Sequence, residues 1–131
     1  MTCWDFKNEF LIGIRLITPD GSTHPQDEEL VALDTGYDGD VLIPYDLFLS
    51  LKFDEFEDYL AEEFLETASG EILKSSVSRG FLSIPKIGST LPVQIETFRD
   101  NTEFLIGVGV LRQIRVLLDG PSNQTCIVTE R

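Results

Sequence analysis

Histidine is nearly absent from this chain, cysteine is scarce, and cations are outnumbered by anions more than two to one. With His24 as the one imidazole, and Cys3 and Cys126 at opposite ends of 131 residues, neither a zinc site nor a cysteine–histidine catalytic pair is easily assembled. No metal and no cofactor is therefore expected. The two thiols read as free, small residues of a cytoplasmic protein, and a disulfide is open to them only if the two chain ends pair as neighbouring strands. No apolar run approaches the roughly eighteen residues of a membrane span, and Met1–Lys7 has no basic segment leading into an apolar core, so neither a span nor a secretory leader is expected. Ten Lys and Arg against 23 Asp and Glu give a net charge of −13. Nucleic acid and anionic membrane, both polyanionic, are excluded as expected partners.

What the chain does contain is strand-forming material punctuated by turns. At 42 % apolar and 25 % charged, with nine Phe, it suits a single folded domain over 1–131 and is short for two. Glu9–Thr18 reads as a strand ending at the turn Pro19-Asp20-Gly21, the polar residues to Asp27 as a loop, and Glu29–Leu33 as a short strand. Val41–Ile43 is apolar and follows a turn at Asp38-Gly39. From Pro44 the period changes: Leu47, Leu49 and Leu51, then Phe53, Phe56, Tyr59, Leu60 and Phe64, with acids between, resemble a spacing of three and four, which predicts an amphipathic helix over about 45–64. Its acids read as a solvated face and not as metal ligands.

A β-hairpin is expected over about 65–77, its turn at Ser69-Gly70-Glu71. Strands are expected at Gly80–Ile84 and Leu91–Phe98, then at Phe104–Gly107 leading into a short helix from Val108, and finally at Arg115–Gly120 and Thr125–Val128. The class is mostly β with one or two helices.

The run Ala32-Leu33-Asp34-Thr35-Gly36 sets a carboxylate on a tight, glycine-bearing turn between two apolar strands. Amide hydrolysis without metal or nucleophile needs a base to activate water and an acid to protonate the carbonyl, and two carboxylates sharing one proton do both. A single Asp-Thr-Gly supplies one carboxylate. The second must come from another copy of the chain across a two-fold axis.

The order strand, Asp-Thr-Gly, apolar strand, glycine-tipped hairpin, two strands, apolar-apolar-Gly, short helix and final strand resembles the retropepsin-like aspartic proteases, including single-domain prokaryotic members of clan AA. The resemblance covers about residues 9–119 and is strongest at Leu33–Gly39 leading to Leu42-Ile43-Pro44, and at Leu105-Ile106-Gly107 leading to Leu111. It implies a closed β-barrel half with the active site at a two-fold dimer interface. It further implies that Asp34 is the catalytic carboxylate, that Thr35 supplies the hydroxyl bonding across the dimer, and that Gly36 lets substrate approach. Ser69, Gly70 and Glu71 would form the flap tip, and Ile106 and Gly107 the second loop near the active site. By analogy, the chain ends Thr2–Trp4 and Thr125–Val128 would lie at the dimer interface.

One motif departs from the family pattern. Gly-Arg-Asp, Gly-Arg-Asn or Gly-x-Asp often follows the apolar pair, and the Arg braces the catalytic loop through a downstream acid. Here the residues are Gly107-Val108-Gly109, and Asp38 or Asp40 stands at the acid's place. The expected function is a homodimeric aspartic endopeptidase acting on peptide or protein substrates. The alternative is a non-catalytic module that keeps the fold and binds extended peptide. The acidic balance steers basic or neutral peptides toward the molecule.

Overall fold

The computed structural model describes residues 1–58, 64–66 and 68–129. Strands β1 (Thr2–Asp5), β2 (Leu11–Ile17) and β3 (Thr23–Leu33) come first. In β2 the residues Leu11, Ile12, Ile14 and Leu16 are all buried, as suits a strand paired on both edges, to β3 and to β6 (Ile72–Ile84).

The stretch up to Asp27 is not the expected loop. It is the first half of β3. The chain reverses tightly at Thr18–Ser22, where the Thr18 N–H donates to the Ser22 carbonyl at 2.9 Å and Gly21 takes a φ of +91°. Thr23 thus lands opposite Ile17 and the ladder resumes at once, a register shift between Ile14 and Leu16 absorbing the mismatch. Arg15 pins this polar half by donating to the Pro25 carbonyl at 2.9 Å and to the Thr23 hydroxyl at 2.8 Å.

After β4 (Val41–Leu42), helix α1 covers only Tyr45–Ser50, and a 3-10 turn follows at Phe53–Phe56. The helix expected over 45–64 is therefore corrected for its described part; residues 59–63 lie outside the described residues, and Phe64 opens β5 (Phe64–Glu66). The break has a packing cause. Phe48 and Phe53, five apart, would sit about 140° apart on one helix, yet both are needed in the core. Lys52 takes a left-handed φ of 61°, the chain turns, and the two rings meet with centroids 5.7 Å apart, both fully buried. Each such ring is worth about 3–5 kcal/mol against truncation to alanine.

Hairpin β5–β6 forms where expected, with Glu66 opposite Ile72 and Gly70 at φ +87° in the turn; Thr67 lies outside the described residues. The strands expected at Ile72–Val77 and Gly80–Ile84 are one continuous β6, because Ser78 and Arg79 stay in register with Ile95 and Gln94 of β7 (Ser89–Phe98). Then come β8 (Leu105–Ile106), α2 (Val108–Leu111), β9 (Val116–Asp119) and β10 (Gln124–Ile127). The seven-stranded sheet runs β2-β3-β8-β4-β7-β6-β5, and the extra β2–β6 pairing closes all but β5 into a ring. Ile12, Ile14, Leu82, Ile84, Ile95 and Ile106 fill its interior. The fold is mostly β with two short helices.

A second sheet, β1-β10-β9, joins the chain ends to each other within one chain. Cys3 stands directly opposite Cys126, and the two are joined by a disulfide with 4.0 Å between their Cα atoms. The expectation of free thiols is corrected. The condition for a bond, that the ends pair as neighbouring strands, is met here. Trp4 and Ile127 bury against the main core. Among the described residues, no helix is long and apolar enough to cross a membrane.

Candidate active site

Strand β8 lies between β3 and β4, parallel to the first and antiparallel to the second. A chain leaving β3 must therefore pass around the end of β8 to enter β4. Residues 34–40 make that passage. The Asp34 N–H donates to the Ile106 carbonyl at 2.9 Å, and the Tyr37 N–H returns to the Asp34 carbonyl at 3.2 Å. The Gly36 N–H donates to Asp34 Oδ1 at 2.8 Å, fixing the carboxylate's direction. A Cβ on Gly36 would sit 3.1 Å from that oxygen and crowd it.

The brace left open by Gly107-Val108-Gly109 is made of backbone. The N–H groups of Gly107, Val108 and Gly109 donate to the carbonyls of Asp40, Tyr37 and Gly39 at 2.9, 2.9 and 3.0 Å. Such closeness requires glycine: a Cβ at 107 would lie 2.3 Å from the Gly39 carbonyl, and one at 109 would lie 1.8 Å from Asp40 Oδ1. The remaining Asp40 oxygen, Oδ2, accepts from the Gln94 N–H on β7 at 2.8 Å. Tyr37 adds a second tie, its hydroxyl donating to Glu96 Oε1 at 2.5 Å. Glu96 is only 5 % exposed. Three amides and two side chains thus hold the loop.

Asp34 is half-buried and opens into a cavity of about 340 Å³, whose apolar wall includes Leu42, Phe98 and Leu105 and whose far side is Glu66 and Ala68 of the hairpin. A neighbouring cavity of about 410 Å³ is bounded by Tyr37, Asp38, Phe64 and Glu96, and it shares Gly36, Tyr37 and Glu66 with the first. The hairpin stem therefore overhangs the Asp34 loop. Its tip, Ser69, Gly70 and Glu71, is exposed and does not itself line either space among the described residues.

Thr35 is exposed and faces elsewhere, into an apolar groove of about 280 Å³ with Leu111, Ile114, Val116 and Leu118. Ile106 is fully buried and acts through its carbonyl, while Gly107 is part of the backbone brace. Among the described residues, no group of three His, Cys, Asp or Glu side chains gathers to hold a metal ion.

Sequence reasoning did not find Tyr37, Glu96, Gly39 or Gly109, nor Glu66 and Glu103 beside the cavity. Two signals were there. Glu96 is an acid inside an apolar strand, and glycine recurs at 36, 39, 107 and 109, denser than turns require.

No family model matches the chain. It is 27 % identical over 90 residues, 69 % of either chain, to a protein of Archaeoglobus fulgidus described only as uncharacterized. Among solved structures it is similar to the retroviral protease-like domain of Ddi1 from Leishmania major, with a TM-score of 0.55 over 92 % of this chain and 90 % of that one, at 11 % sequence identity. At that identity the likeness speaks for the fold alone, and the fold is retropepsin-like.

Proposed function

We propose that the chain is an aspartic endopeptidase that works as a homodimer, with Asp34 of each subunit forming the reacting pair. The observation that carries this reading is the Asp34 carboxylate itself. It is aimed by the Gly36 N–H, on a loop clamped by backbone bonds, at the edge of a cavity under a hairpin. Rigid positioning of that kind serves chemistry, where a misplacement of about 1 Å costs about 100-fold in rate.

The need for a second chain is chemical. One carboxylate cannot both accept water's proton and donate one to the carbonyl in the same step. Two held close cannot both ionise, so the pair keeps one proton and titrates as a unit. The charged member takes a proton from water as its oxygen bonds to the peptide carbon, and the protonated member gives its proton to the carbonyl oxygen. In the tetrahedral intermediate a proton passes to the amide nitrogen, the C–N bond breaks, and carboxylic acid and amine leave with no covalent adduct. Thr35 beside an apolar groove, and Leu118 of β9, 51 % exposed and lining the same groove, support a partner surface next to the catalytic loop.

The test is solution mass together with cleavage of a mixed peptide library at acid and near-neutral pH, with wild type and Asp34→Asn compared. A dimer whose cleavage disappears in the variant supports the reading. A folded monomer, or a dimer that binds peptides and cuts none, overturns it, the latter in favour of a binding module.

A further inference from the structure

Resting on the peptidase reading, we propose that the cleft beside Asp34 selects peptides carrying a lysine or arginine side chain next to the bond to be cut. The cavity at Asp34 is two-natured. Leu42, Phe98 and Leu105 give it an apolar wall, while Glu66 and Glu103 place carboxylates at its margin. A long cationic side chain has the matching form, a methylene stem that buries against apolar surface and a charged head that stays at a polar rim.

Glu103 sits there by construction. Asn101, 95 % buried by its 5 % exposure, accepts from the Glu103 N–H at 3.0 Å and donates to the Glu103 carbonyl at 3.0 Å, while also donating to the Ile43 carbonyl at 2.7 Å. The loop carrying Glu103 is thereby locked to the end of β4. Glu66 comes from a different element, the hairpin stem. Across the shared boundary, Asp38 and Glu96 continue the same sign into the second cavity.

Among the described residues no Lys, Arg or His lines either cavity. Lys74, diagonal to Glu66 across the β5–β6 pair, lines neither. The acids also do not gather three to a point as metal ligands do. They line two adjoining cavities that share Gly36, Tyr37 and Glu66, which suits an extended chain with basic side groups. This is pocket chemistry, distinct from the pull of a net charge of −13 on any cation.

The experiment measures binding of three peptide pools to the Asp34→Asn protein: one with lysine at a fixed central position, one with norleucine there, and one with glutamate. The lysine pool is expected to bind about tenfold more tightly than the norleucine pool, or 1.4 kcal/mol, and the glutamate pool most weakly. In Glu66→Gln/Glu103→Gln, built on the same background, the lysine-to-norleucine ratio is expected to fall below about twofold. Asp54→Asn/Glu55→Gln removes the same charge from exposed acids outside both cavities and should leave the ratio intact. Equal binding of the lysine and norleucine pools, no binding of either, or a preference that survives the Glu66/Glu103 change or disappears with the Asp54/Glu55 change overturns the proposal. Cleavage of the same pools by wild type reads separately. If the norleucine pool is cut as well as the lysine pool, the peptidase reading stands and the specificity does not.

Discussion

Gly107→Ala adds one methyl group where the Asp34 loop leaves no room for it. At φ −100° and ψ −173° the residue is extended backbone that alanine adopts without strain, so the whole effect comes from contact. The new Cβ would lie 2.3 Å from the Gly39 carbonyl oxygen, 2.5 Å from Tyr37 Cδ2 and 2.6 Å from the Tyr37 carbonyl oxygen, where ordinary contact begins near 3.4 Å. Two of those three atoms are backbone and cannot swing aside. The loop must retreat by about an ångström, stretching the bonds that Val108 and Gly109 donate to it. Overpacking costs about 1–3 kcal/mol and each bond is worth about 0.5–1.5 kcal/mol. With the bonds weakened and not lost, the expected destabilisation is about 2–4 kcal/mol.

Urea unfolding followed by circular dichroism and by the fluorescence of Trp4, the one tryptophan and a buried one, reads this directly. Gly120→Ala is the internal control. Nothing lies within 4 Å of a Cβ built there, and the expected change is within about 0.5 kcal/mol. On the peptidase proposal, cleavage should fall about 100-fold in Gly107→Ala, because Asp34 hangs from the carbonyl of the residue just before the substitution. A Gly107→Ala protein as stable as Gly120→Ala would refute the backbone brace, whatever became of activity.

Two further outcomes follow from the same contacts. Tyr37→Phe deletes the hydroxyl that serves the buried Glu96 carboxylate and should cost about 1.5–3 kcal/mol in the same unfolding assay, whereas a change below about 0.5 kcal/mol would mean that another donor serves Glu96. Cys3→Ser/Cys126→Ser opens a loop closed across 123 positions, for which the chain-entropy account gives a loss of about 2–5 kcal/mol; an equal midpoint with and without the bond would show that the β1–β10 pairing holds the chain ends unaided.

The readings that succeeded were local ones. Asp34-Thr35-Gly36 between apolar strands is a turn legible in consecutive residues, and the structure has that turn. The hairpin around Gly70 is likewise local, since glycine there answers a positive φ. The failures came where a distant partner decided the outcome. Thr23–Asp27 looks like loop because it is polar, but β2 was waiting beside it. The helix expected to Phe64 keeps its period in sequence, yet the core needed both Phe48 and Phe53, and the helix gave way at Lys52. The cysteines read as free because a lone pair in a cytosolic setting usually is, and a separation of 123 residues says nothing about which strands lie side by side.

The sequence by itself determined the strand content, the acidic surface and the carboxylate on its glycine turn, because propensity, charge and turn chemistry act over a few residues. The tertiary structure alone decided what surrounds that carboxylate. Closing the ring sets β8 between β3 and β4, and this forces the Asp34 loop onto Gly107 and Gly109 closely enough that only glycine fits at those two positions. The same closure brings Glu96 under Tyr37, and Glu66 and Glu103 to the mouth of one cavity. Those contacts depend on strand register across the whole chain, and register is settled by how the entire core packs and not by any short stretch of residues.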